Sequence, residues 1–164
     1  LSNFSIEKFD RPFDYKMQIT RRNETCEQTV DLVETFNYLI GLSVARVSTV
    51  DWFRAVSDDQ GEYEGAVRLQ RDDGGDFGFQ QIEGTLPDGR RALVIWRNVT
   101  DDIRRSNAAL DAYFRHYRIN PADREYNVIY VNGDNNLENI RQDEEQWKVV
   151  MTETEFKARM FEEE

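Results

Sequence analysis

The chain has 164 residues, of which 39% are hydrophobic, 12% aromatic and 32% charged. A chain of this length buries roughly 70% of its unfolded surface, so the composition is that of one folded domain and not of a disordered segment. Lys and Arg total 21 against 32 Asp and Glu, a net charge of −11 that repels phosphate at long range and argues against autonomous, non-specific nucleic-acid binding.

No stretch approaches the roughly 18 apolar residues of a membrane span, and no signal peptide opens the chain, so a cytoplasmic protein without membrane contact is expected. A single Cys, Cys26, excludes an internal disulfide and a Cys-rich metal site, and a single His, His116, excludes a His cluster. The chain opens on Leu1, which suggests a fragment of something longer. Four lysines (Lys8, Lys16, Lys148 and Lys157) leave nearly all positive charge to Arg, a bias that a salt-adapted or GC-rich genome explains better than a special contact surface.

Residues 1–13 read as an extended lead-in whose Phe4, Ile6, Phe9 and Phe13 pack on the body of the domain, residues 14–162. Tyr15, Met17 and Ile19 alternate with polar residues, which predicts a half-buried strand, with Thr25–Val30 pairing back as a hairpin. Asp31 and Glu34 form a capping-box pattern, and Leu32, Phe36, Leu39 and Ile40 share one face, predicting a helix over 31–40 that Gly41 ends. A strand follows from Leu42 to Phe53, then a turn at Asp58–Gly61, a weak strand from Glu64 to Leu69 and a loop over Arg71–Asp76. Phe77 opens an extended segment to Leu86, and Pro87-Asp88-Gly89 is a turn.

Ala92–Trp96 is continuously apolar, as in a strand covered on both faces. Thr100 or Asp101 caps a long helix over 101–118 with Ile103, Leu110, Phe114 and Tyr117 inward, broken by Asn120-Pro121. Tyr126–Val131 is a second buried strand, parallel to a neighbour because a helix precedes it. Gln146–Met151 is a last strand. Thr152 with Glu155 caps a short final helix with Phe156 and Met160 inward, and the acidic end Glu162–Glu164 frays. The fold class is therefore α/β (α+β): a mixed, partly antiparallel sheet with helices packed on it, in one domain.

Few residues carry chemistry. The order of elements resembles the core of restriction-endonuclease-like nucleases, in which carboxylates on adjacent strands hold Mg²⁺. Here Asp88 precedes a strand, Val94-Ile95-Trp96-Arg97, that has neither acid nor Lys, so the option is a degenerate nuclease-like core and Asp88 is better explained by its turn. Gly74, Gly75 and Gly78 precede no helix, as a nucleotide loop would require. Asn132, Asp134, Asn135 and Asn136 follow a buried strand, where α/β proteins bind ligands, and could meet a polar ligand; an Asx-turn cluster is the simpler account. Arg104 and Arg105, with Arg115 and Arg118, could contact a partner or a DNA backbone, or form a solvated helix face with Asp101, Asp102 and Asp111. Of the aromatics Trp52, Phe53, Tyr63, Phe77 and Phe79, exposed ones would mark a docking surface, though core packing is the commoner fate.

Three parts of the chain carry a wider resemblance: Val33-Glu34-Thr35-Phe36-Asn37-Tyr38-Leu39-Ile40-Gly41-Leu42; Arg90–Arg97 (Arg-Arg-Ala-Leu-Val-Ile-Trp-Arg) with Asn107–Phe114; and Tyr130-Val131-Asn132-Gly133-Asp134-Asn135-Asn136-Leu137. Together they resemble the C-terminal region of type III restriction-modification methyltransferase (modification) subunits and related adenine-specific DNA methylases, over roughly residues 12–162. The resemblance implies adenine-N6 methylation with S-adenosylmethionine on a flipped base in the parent protein. The Asp-Pro-Pro-Tyr and Phe-x-Gly-x-Gly motifs of that chemistry do not occur here; Asp10-Arg11-Pro12-Phe13 and Phe77-Gly78-Phe79 do not match them. No catalytic, cofactor or metal residue is therefore carried over. The implied role is non-catalytic: assembly with the methylase domain and other restriction-modification subunits, or DNA recognition through the parent complex, with a homodimer as an option. A free-standing interaction domain is the remaining alternative.

Overall fold

The structure, a computed structural model, describes residues 9–13, 31–120, 125–135, 137 and 149–162. The strand and hairpin expected between Tyr15 and Val30, the helix breaker Pro121, Asn136, the start of the last strand at Gln146 and the acidic end Glu163-Glu164 lie outside these residues.

Helix α1 (Leu32–Leu39) starts where expected, because Asp31 Oδ1 accepts from the amides of Val33 at 2.9 Å and Glu34 at 3.3 Å. It stops at Gly41, in the left-handed region at φ +69, with Leu42 N–H returning to Asn37 O at 2.9 Å. Six strands follow along the described chain in this order: β1 (Ser43–Val47), β2 (Asp51–Ser57), β3 (Val67–Arg71), β4 (Phe77–Thr85), β5 (Arg91–Arg97) and, after helix α2 (Ile103–His116), β6 (Val128–Val131). Strand β7 (Val149–Met151) and helix α3 (Thr152–Glu162) close it. The sheet runs β3-β2-β4-β5-β6-β7, with β1 also on β4. The pairs from β3 to β5 are antiparallel, and β5, β6 and β7 run parallel.

The strand expected over Leu42–Phe53 is two strands, both on β4. Its far half takes β1 (Ser43 opposite Thr85, Val47 opposite Ile82) and its near half takes β2 (Asp51 opposite Phe79). The register slips once between Val44 and Arg46. It slips again before Asp51, where Ser48 bonds Gln81 through both its backbone N–H and its side chain. Such bulges leave the apolar pattern readable as one run while breaking the ladder. Strand β3 starts at Val67, later than expected, after a loop that Asp58 closes by accepting from Gln60 N.

Alternation in β5 divides the core. Ala92, Val94 and Trp96 pack with α1, α3 and the Phe9–Phe13 segment, while Leu93 and Ile95 pack against α2. The result is a three-layer α/β/α sandwich, the expected mixed sheet covered by helices on both faces. Helix α2 departs from expectation at each end. Its N-cap is Asp102, whose carboxylate accepts from Arg105 N at 3.1 Å, and Arg118 ends it by entering the left-handed region at φ +54. Its buried stripe begins at Ser106, one turn after Ile103, which stays 42% exposed. The capping box expected at Thr152 and Glu155 does not form. Thr152 Oγ1 is buried with no hydrogen-bond partner among the described residues, and Glu155 pairs with Arg159 at 3.0 Å one turn along.

Candidate functional site

Strands β5, β6 and β7 end side by side, so the residues after them converge at one edge of the sheet. The first, Arg97, is fully buried, and neutral acceptors surround it. Its Nε donates to Asn132 O at 2.9 Å, Nη1 to Ser106 O at 3.2 Å and Asn107 Oδ1 at 3.0 Å, and Nη2 to Asp134 O at 3.2 Å. Burial pushes the guanidinium down to about 10, countered by the nearby charges of Glu153 and Asp10, so it remains a cation at neutral pH. One side chain thus ties the end of β5, the turn after β6 and the first turns of α2.

The turn after β6 is held from the other side by α3. Gly133 N–H donates to both oxygens of Glu153, at 2.8 and 3.1 Å. Gly133 has φ +85, and a Cβ there would stand 2.9 Å from Val99 and 3.0 Å from Arg97 Nη2, so both conformation and space require Gly. A hollow of about 230 Å³ lies outside these strand ends, bordered by Asp10, Asp134 and Glu153 among others.

Burial raises the Glu153 carboxyl, as does Asp10, while its own and the Gly133 N–H and Arg97 act the other way. A carboxyl raised above its unfolded value of 4.5 favours folding when protonated; that contribution is complete below pH 4.5 and is lost as pH rises through the folded value. Glu153→Gln stays neutral and can still accept from Gly133. Its urea midpoint is therefore expected to fall less than the parent's as pH rises from 4.5 to neutrality; parallel curves for the two proteins would rule out a desolvated carboxylate.

The residues singled out from sequence divide between this edge and α2. Asn132 is fully buried: its Oδ1 accepts from Arg97 N at 3.0 Å and its Nδ2 donates to the carbonyls of Phe9 and Arg97. It organises the turn from within. Asn135 bonds Gly133 O and Leu137 N in an Asx-type turn, and Asp134 beside it is exposed. Asn136 is outside the described residues. Arg104 and Arg105 are both exposed, on the first turns of α2, and Arg105 Nη2 donates to Ala55 O at 3.1 Å.

Arg104 faces a groove of about 730 Å³, and across it stands Tyr63, 43% exposed, whose hydroxyl donates to Asp111 Oδ2 at 2.9 Å. Of the other aromatics, Phe53, Phe77 and Phe79 are core, and Trp52 is half-buried with its ring over Gly78. Sequence alone could not join Tyr63 to Arg104, because they meet only when α2 packs beside β3. Arg97 and Glu153 were missed as partners; a charged residue ending a buried strand was the available signal.

Asp88 stands in its turn with its carboxylate on Arg90 N and Nε, at 3.0 and 2.8 Å. Among the described residues no group of three or more His, Cys, Asp or Glu is placed to hold a metal ion. Phe77-Gly78-Phe79 lies inside β4, where the Trp52 ring fills the space over Gly78, so these residues do not fit an S-adenosylmethionine loop. No helix among the described residues is long and apolar enough to cross a membrane. Comparison of the chain with known protein families, with curated proteins and with solved structures finds no match. The fold and site define a three-layer α/β domain with a buried arginine clasp.

Proposed function

We propose that this chain is a non-catalytic accessory domain of a site-specific adenine-N6 DNA methyltransferase subunit of a restriction-modification system, acting in subunit assembly or DNA recognition in the cytoplasm. S-adenosylmethionine would be bound by other parts of the parent protein. One observation supports the reading. The segments that carry the resemblance are distant in sequence yet meet around Trp96 and Arg97. Phe36 of the first segment packs edge-on against Trp96 of the second and Tyr130 of the third, with centroids 5.8 and 5.3 Å apart. Arg97 bonds Asn107 of the second and Asn132 and Asp134 of the third. The three segments thus belong to one packed unit, as a domain held in common would require.

The test joins the gene to an assay. The coding sequence in front of Leu1 is expected to contain the Asp-Pro-Pro-Tyr and Phe-x-Gly-x-Gly motifs in frame, and the 164-residue chain is expected to transfer no methyl group from S-adenosylmethionine to DNA. Methyl transfer by this chain alone rejects the reading. So does Mg²⁺-dependent cleavage of plasmid DNA that Asp88→Ala abolishes, which would favour the nuclease-like alternative.

A further inference from the structure

We propose that the groove between Tyr63 and the first half of α2 binds a nucleotide, with its base against Tyr63 and Asn107 and its phosphate at Arg104. The groove's size, about 730 Å³, is in the range of small-ligand sites. Tyr63 supplies a stacking surface: its hydroxyl is pinned to Asp111 while 43% of the residue remains exposed. Burial and Asp111 push that hydroxyl up to about 12, so it stays a neutral phenol at physiological pH. Asn107 supplies direction. Its Oδ1 accepts from the buried Arg97 Nη1, which leaves the two N–H groups of Nδ2 for the groove that Asn107 lines. Asp111, one turn further along the same helix face, offers carboxylate acceptors. A donor beside an acceptor suits the edge of a base, which carries both.

Arg104 supplies the charge. It is exposed, borders the groove and makes no hydrogen bond or ion pair with the described residues, whereas its neighbour Arg105 is anchored on Ala55. Glu64, Asp102 and Asp111 also border the groove, and the whole chain carries −11. Those charges oppose a tracked phosphate backbone and fit a single nucleotide held by stacking, with one phosphate contact and a shallow salt dependence. The groove stands on its own residues; nucleic acid as the source of the nucleotide rests on the methyltransferase reading.

The full chain is titrated by calorimetry with adenosine, adenosine monophosphate, a short single-stranded oligodeoxynucleotide and its duplex. Binding of the monophosphate and the single strand is expected. Tyr63→Ala should weaken both about 5- to 150-fold, the range for loss of one base stack. Tyr63→Phe should keep most of the affinity. Arg104→Ala should weaken the monophosphate but leave adenosine unchanged, and Tyr38→Ala, an exposed tyrosine on α1, should change nothing. The altered side chains are exposed, so unchanged circular dichroism and urea midpoints confirm intact folding. No heat with any of the four ligands overturns the groove proposal, as does binding indifferent to Tyr63→Ala and Arg104→Ala. Binding of the monophosphate without either DNA upholds the groove and overturns DNA as the source, while the methyltransferase reading keeps its own test in the coding sequence.

Discussion

Arg97→Ala is expected to lower the stability of the domain by about 3–5 kcal/mol, the cost of breaking a buried charged network. The substitution leaves the carbonyls of Asn132, Ser106 and Asp134 and the Asn107 side-chain oxygen without the donors that now serve them. It also removes the cation that faces Glu153 and Asp10. Arg97→Lys keeps the charge, but a single ammonium cannot reach acceptors lying on both α2 and the turn after β6, so most of the loss should remain. Urea denaturation of the three proteins measures this. A loss below about 1 kcal/mol for Arg97→Ala, the ordinary effect of a point substitution, would mean that the clasp is not what joins α2 and the turn to the sheet.

Trp96→Ala is the other large effect, again about 3–5 kcal/mol for removing a buried large aromatic. Trp96 is fully buried, stacks near Phe9 at 6.2 Å and meets Phe36 edge-on at 5.8 Å, so its loss opens a cavity between the sheet and the layer of α1 and α3. Trp96→Phe should recover most of that stability. The indole Nε1–H has no hydrogen-bond partner among the described residues, so replacing Trp by Phe discards an unsatisfied donor along with some volume. Thermal or urea unfolding of the pair decides the matter: equal losses would show that the N–H contributes and that packing is not the main term.

The two adjacent residues illustrate how differently sequence exposes its content. Trp96 was legible as core because five apolar residues in a row leave a strand little choice but to be covered on both faces. Arg97, next in the chain, looked like the polar end of that strand. Only the placement of α2 and the turn after β6 gives a guanidinium four acceptors at once. Asn132 had two readings, a ligand contact and the simpler Asx-turn cluster, and in the fold its amide is taken up by the backbone of Arg97. Tyr63 and Arg104 were each noticed separately, and only the packing of α2 beside β3 puts them across one groove.

Local chemistry was therefore readable wherever it depends on neighbours in the chain. The Asp31 cap, the Gly41 stop, the Pro87-Asp88-Gly89 turn, the buried β5 and the parallel β6 follow from side-chain periodicity, backbone freedom and crossover length, which act over a few residues. The Asp102 cap and the Glu155–Arg159 pair are just as local, although the sequence pattern did not single them out; the two register slips on β4 depend on partners far away in sequence. So do the arginine clasp and the groove. Hydrogen bonding and desolvation are settled by what lies across the interface, and a linear pattern carries no record of that until the layers have closed.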